Sequence, residues 1–162
     1  MVPHELEGSF RAHHGLVFRT AYRITGNAAD AEDVLQTVFL RLLRRGVQAD
    51  AMENEKSYLR RAAINAALDI VRARQSDRTV ELTDLPADPA QDVAPELRPA
   101  LARALAQLKP QSAEIFALRF LEGFSNPQIA RMLGISQVLV AVIVHRTRQQ
   151  LRKELGSYRH RQ

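Results

Sequence analysis

The stretch FSNPQIARMLGISQVLVAVIVHRTRQQLRKEL, Phe124 to Leu155, decides how this chain folds. Ser125 followed three residues later by Gln128 has the chemistry of a capping box, in which the Ser oxygen accepts from the backbone ahead and the Gln reaches back. Ala130 is small where two helices would cross, Gly134 can take the positive φ of a tight turn, and Ser136 can cap a second helix. Val140 and Ile143 are then placed to fill a core, and the whole order has the mechanics of a helix-turn-helix. An ordinary helical hairpin packed only within its own domain would use many of the same devices.

The second helix opens with an apolar run, Val138 to Val144. At about 100° per residue, Val140, Val144, Thr147 and Leu151 fall within one narrow arc and must face inward. Val138, Ala141 and Val142 project to the other side, followed by His145, Arg146, Gln149, Arg152 and Lys153. The outward face is therefore apolar at its leading end and basic farther along. On DNA, small apolar groups can touch thymine methyls, while Gln137, His145, Arg146, Arg148 and Gln149 supply donors for bases and phosphates. The same patch would also suit a protein partner, because exposed apolar surface commonly marks an interface. Both readings stay open at the level of the residues.

Upstream, Leu97, Leu101, Leu105 and Leu108 recur at helical spacing before Lys109-Pro110 breaks the run, which restarts through Ile115, Phe116, Leu118 and Leu121 and stops at Gly123. Nearer the start of the chain, Val17, Ala21 and Ile24 form one stripe. Gly26 can end that helix, and Asn27 can cap the next. Asp30, Glu32 and Asp33 stand in the first turns of the second helix, where negative charge meets the positive end of the macrodipole. Val34, Leu35, Val38, Phe39, Leu42 and Leu43 make its apolar side. A third helix starts near Asn54 and buries Leu59, Ala62, Ala63, Ala66 and Ile70, its Ala content permitting close approach.

Between these blocks lies QSDRTVELTDLPADPAQDVAPELRP, rich in Pro and acid and poor in periodic apolar residues, the composition of a tether. The chain reads as all-α, two small helical domains joined by a flexible acidic linker. A first domain is expected over 1–75, the linker over 76–96, a second domain over 97–156 and a short tail over 157–162. From Ser76 to Glu96 the acids face only Arg78, whereas beyond it Glu114, Glu122 and Glu154 are the only acids among many Arg and Lys. That asymmetry raises the expectation that the tether rests against the basic second block.

The bulk numbers fit: 162 residues, 46% hydrophobic and 25% charged, are globular proportions for one domain or two small ones. A net charge of +5 is compatible with an anionic partner. The chain has no Cys, which excludes disulfides and thiolate metal sites. No signal-peptide layout or membrane-length apolar run is present, so the expected location is the cytoplasm. No catalytic constellation stands out, and neither a cofactor nor a metal is expected. His13 and His14, adjacent on a helix, point about 100° apart and make a poor metal pair.

Taken in order, the motifs resemble the extracytoplasmic-function (ECF) sigma factors, the small two-domain initiation factors of bacterial RNA polymerase. AYRITGNAADAEDVLQTVFLRLLR is similar to the family's polymerase-binding region, and SYLRRAAINAALDIVRAR to its promoter-melting, minus-ten-recognising helix. LKPQSAEIFALRFLEGFSNPQIARMLGISQ and HRTRQQLRKEL resemble its minus-thirty-five-binding domain. The resemblance implies that Asp30, Glu32, Asp33, Gln36 and Phe39 grip core polymerase, and that Gly46 to Asn54 receives a flipped base. It further implies that Tyr58, Arg60, Arg61, Asn65, Arg72 and Arg74 lie along single-stranded promoter DNA. Of these, Arg61, Asn65 and Arg72 share one helical face with Ser57, and Tyr58 is available for stacking. In the second domain Gln137, Val138, Ala141, Val142, His145, Arg146, Arg148 and Gln149 stand where the family meets duplex DNA. The family commonly shows a small-Thr-Val-Lys-Ser-Arg-Leu order there, and this chain carries Val138 to Val144 instead. Expected partners are core polymerase, promoter DNA and an anti-sigma factor. A polymerase-independent helix-turn-helix regulator and a sigma-like interaction module are the alternatives.

Overall fold

The computed structural model describes residues 3–45, 54–76 and 98–160, and everything described is helix or short turn. The helices are α1 (Pro3–Thr25), α2 (Ala28–Arg45), α3 (Glu55–Ser76), α4 (Arg98–Gln107), α5 (Pro110–Phe116), α6 (Asn126–Leu133) and α7 (Gln137–His160), with a π-helical turn over Ala117–Leu121. By its contacts the chain divides into two compact units, Met1–Ile70 and Val71–Gln162. Except for Ser76, the expected tether lies outside the described residues, as do its suggested rest against the second block and 46–53 of the base-receiving loop.

In the first unit, α1 ends because Gly26 turns left-handed, φ 64°, and its N–H closes onto the Tyr22 carbonyl at 2.8 Å. Asn27 follows at once as the cap of α2, its side-chain oxygen accepting from the Asp30 N–H at 3.1 Å. This short link folds α2 back along α1. Val17, Ala21 and Ile24 from α1 and Ala31, Val34, Leu35, Val38 and Leu42 from α2 are buried. The start of α3 is tied to α1 by the Glu55 carboxylate, which accepts from the Ser9 hydroxyl and lies 3.6 Å from His13 Nε2. α3 begins one residue later than the sequence suggests, and it buries Leu59, Ala63, Ile64, Ala66, Ala67 and Leu68. That face is broader than the periodicity indicates, since Ile64 and Leu68 lie inside while Ala62 and Ile70 are half-buried. Leu43, expected on the apolar side of α2, is 41% exposed because it falls about 100° past Leu42.

In the second unit, Pro110 occupies the first turn of α5, where its missing N–H costs nothing. Ala104, Leu105 and Leu108 pack inward with Ala113, Ile115 and Leu118. The expected continuous helix through Leu121 widens into the π turn, with the Glu122 N–H reaching the Ala117 carbonyl at 2.9 Å. Gly123, at φ 79°, then stops it. Among the described residues no single helix is long and apolar enough to cross a membrane.

Two substitutions test this account in opposite directions, both read by chemical denaturation. Asn27→Ala removes the α2 cap and should lower stability by about 1 kcal/mol. Thr20 is fully buried and its hydroxyl has no hydrogen-bond partner among the described residues, so Thr20→Val should raise stability by about 1 kcal/mol.

Candidate functional site

Backbone chemistry at three residues fixes how α6 and α7 meet. Ser125, in extended conformation, accepts from the Gln128 N–H at 3.3 Å, and Gln128 Oε1 accepts from the Ser125 N–H at 2.9 Å, completing the capping box. Gly134, at φ 68° and ψ 35°, ends α6, and the Ile135 N–H returns to the Ala130 carbonyl at 3.1 Å. Ser136 Oγ then accepts from the Leu139 N–H at 3.1 Å and starts α7. The two helices cross at 113°, within the range of helix-turn-helix pairs.

Ile129 and Ala130 from α6 and Val140, Thr147 and Leu151 from α7 are buried in this unit. Ile143, expected in the core, is only half-buried, as is Val144. Ile143 lies about 60° around the helix from Val140, at the edge of the inward arc. Gln137, Val138, Ala141, Val142, His145, Arg146, Arg148 and Gln149 are all exposed, with Val138 at 74% and Val142 at 38%. Val138, Val142, His145 and Gln149 run along one line at helical spacing. Arg148 stands apart from that line, its guanidinium 5.7 Å from the centre of the Phe120 ring. The contact has cation–π geometry and holds α7 beside the π turn.

On α3 the polar residues do not all converge. Ser57, Arg61, Asn65 and Arg72 share one face with half-exposed Tyr58 at its edge, whereas Arg60 and Arg74 lie about 120° or more around the helix. Asn65 Nδ2 donates to the Arg61 carbonyl at 3.0 Å, which turns this amide along its own helix.

The acidic start of α2 is divided between inside and outside. Asp30 is 5% exposed beside the Asn27 cap, and Phe39 is 7% exposed with its ring edge-on to Phe10 at 5.1 Å. Glu32, Asp33 and Gln36 face solvent. So does Leu40, 52% exposed, on the same line as Asp33, Gln36 and Leu43. Leu40 is not singled out in the sequence analysis. Its signal was available: an apolar side chain four residues after Gln36, off the buried arc.

Residues 9–77 match the family profile Sigma-70 region 2, and residues 98–151 match Sigma-70, region 4. The chain is 36% identical over 159 residues to the ECF RNA polymerase sigma factor SigE of Mycolicibacterium smegmatis, covering 91% of this chain and 60% of that protein. It is 33% identical over 153 residues to the ECF RNA polymerase sigma factor SigL of Mycobacterium tuberculosis, covering 89% of this chain and 86% of SigL. The chain belongs to the ECF RNA polymerase sigma factors. A sigma factor directs RNA polymerase to promoters and is a regulatory protein rather than an enzyme. The fold of this sigma factor is similar to that of RpoE from Bartonella quintana, solved with the anti-sigma factor NepR, at a TM-score of 0.54 and 20% identity over 94% of this chain and 97% of that one.

Within region 4, Ala130 on α6 is 5% exposed, which leaves little room for a larger side chain at this position. Ala130→Leu should lower stability by about 1–3 kcal/mol through overpacking, read by thermal denaturation, while the exposed Gln149→Ala should leave stability within about 0.5 kcal/mol.

Proposed function

We propose that this sigma factor divides its work over three surfaces. The outer stripe of α2 binds core RNA polymerase, the polar face of α3 holds melted promoter DNA, and the outward face of α7 docks on the duplex upstream element. In domain terms, 1–75 acts as region 2 and 97–156 as region 4, joined through 76–96. The observation that carries this reading is the match of both region profiles, in order, with outward helical faces left over once each core is filled.

On α2, Glu32, Asp33, Gln36 and Leu40 make the contact with polymerase. Leu40 supplies the apolar area and Asp33 and Gln36 the directional polar groups. Asp30 and Phe39 act from beneath: one sits at the capped start of α2, and the other fixes the middle of the helix against Phe10. On α3, Arg61 and Arg72 follow the backbone of a single strand while Asn65 and Tyr58 meet its bases, a division suited to unstacked nucleotides. Arg60 and Arg74, on the other flank, serve the phosphates as they leave that face. In region 4, Arg146, Arg148 and Gln149 hold phosphates and position the helix, and Gln137, Val138, Ala141, Val142 and His145 face the bases. The protein works where promoters and polymerase are, in the cytoplasm. The anti-sigma complex of the structural neighbour supports an anti-sigma partner here as well.

A pull-down with purified core polymerase tests the assignment of α2. Asp33→Ala combined with Leu40→Ala should weaken capture of core enzyme roughly tenfold, from lost apolar area and a lost charge-assisted contact together, without changing thermal stability. Undiminished capture would remove α2 from the polymerase interface. Run-off transcription with the intact chain, yielding no promoter-dependent product from a genomic library, would count against the whole reading.

A further inference from the structure

We infer that α7 recognises thymine methyl groups in the upstream promoter element through Val138 and Val142, with Ala141 allowing the helix to approach closely. This deepens the proposed docking of region 4 on duplex DNA and rests on it.

The two valines are not needed to fill the unit's own core. Val140, Thr147 and Leu151 already occupy the inward arc, and Val138 and Val142 are 74% and 38% exposed on the opposite side. They stand in the first two turns after the Ser136 cap, the part of a second helix that reaches base edges in helix-turn-helix proteins.

Charge decides which partner fits this face. α6 carries no acid, and α7 carries none before Glu154, whereas Arg131, Arg146, Arg148, Arg152 and Lys153 are all exposed on the two helices. An apolar protein surface gains nothing from that surround, and a polyanion does. Hydrogen-bond donors for base edges are sparse in the leading turns, where Gln137, His145 and Arg146 are the polar side chains that face out. Discrimination must then come largely from shape and apolar contact. The only apolar substituent on a base edge in the major groove is the C5 methyl of thymine.

Spacing agrees. Val138 and Val142 are four residues apart on one line, about 6 Å along the helix axis, and two base steps rise about 6.8 Å. A helix lying along the groove would thus set the two side chains against thymines one or two steps apart.

The test uses the full chain assembled with core polymerase and an upstream element selected by that holoenzyme from a random duplex library. Each thymine is then replaced in turn by deoxyuridine, which removes only the methyl. Loss of one contacted methyl should weaken holoenzyme binding roughly fourfold, at one or two positions. In holoenzyme carrying Val138→Ala and Val142→Ala the same replacements should have no effect, since the partner of the methyl is gone.

Binding indifferent to deoxyuridine at every position, or a selected element without thymine, overturns the inference while promoter-dependent transcription leaves the sigma reading standing. Failure to select any element, with no promoter-dependent transcript, strikes the sigma reading itself. If Val138→Lys with Val142→Lys abolishes capture of core polymerase in a pull-down without DNA, the face is a protein contact and the inference falls.

Discussion

The left-handed turn at Gly134, flanked by the Ser125 and Ser136 caps, is the constraint on which the second unit depends. Each helix end exposes backbone groups that must find partners, and here the partners lie within a few residues of each other along the chain. Once those local bonds are made, the direction of α7 relative to α6 follows from backbone geometry, at 113°. Burial of Ile129, Ala130 and Val140 reinforces an angle that the turn has already set. This also determines what is left outside. With Val140, Thr147 and Leu151 turned in, Val138, Ala141 and Val142 have no inward position available, because a helix offers only one arc to one core.

The same rule organises α2, with a different outcome. Val34, Val38 and Leu42 take the centre of the buried arc, and Asp33, Gln36, Leu40 and Leu43 are carried to the outside together. A stripe that mixes carboxylate, amide and leucine side chains is a poor solvated surface and a good contact surface, since it offers apolar area and orientation at once. Asp30 and Phe39 contribute to that surface without reaching it. Asp30 belongs to the capped first turn and Phe39 to the ring contact with Phe10, so both act by holding α2 in place.

Much of this was legible in the sequence because the signals are local. The stops at Gly26, Gly123 and Gly134, the caps at Asn27, Ser125 and Ser136 and the inward arc of α7 all follow from residues within a turn or two of each other. What was not legible depends on neighbours distant in sequence. The breadth of the buried face on α3 and the ring contact that pairs Phe39 with Phe10 are set by packing and not by period. The π turn over Ala117–Leu121 is also silent in the periodicity, which shows only apolar residues three and four apart on either side. Family likeness placed Asp30 beside Asp33 in one functional group, whereas burial separates them, because likeness transfers positions and not exposures.

An apolar leading end is a weak way to grip DNA and an adequate way to choose it. Each methyl contact is worth about 0.8 kcal/mol, far below what a free regulator needs to find a site among the non-specific sequence of a genome. A sigma factor does not meet that requirement alone. If α2 holds the chain to polymerase as proposed, the second unit would meet the upstream element at an effective concentration set by the assembly. Under those conditions small increments of preference add to binding that already exists. The sequence departure at Val138 to Val144 is then physically consistent with region 4 that positions mainly through Arg146, Arg148 and other basic side chains and discriminates through valine, provided that the polymerase supplies the rest of the affinity.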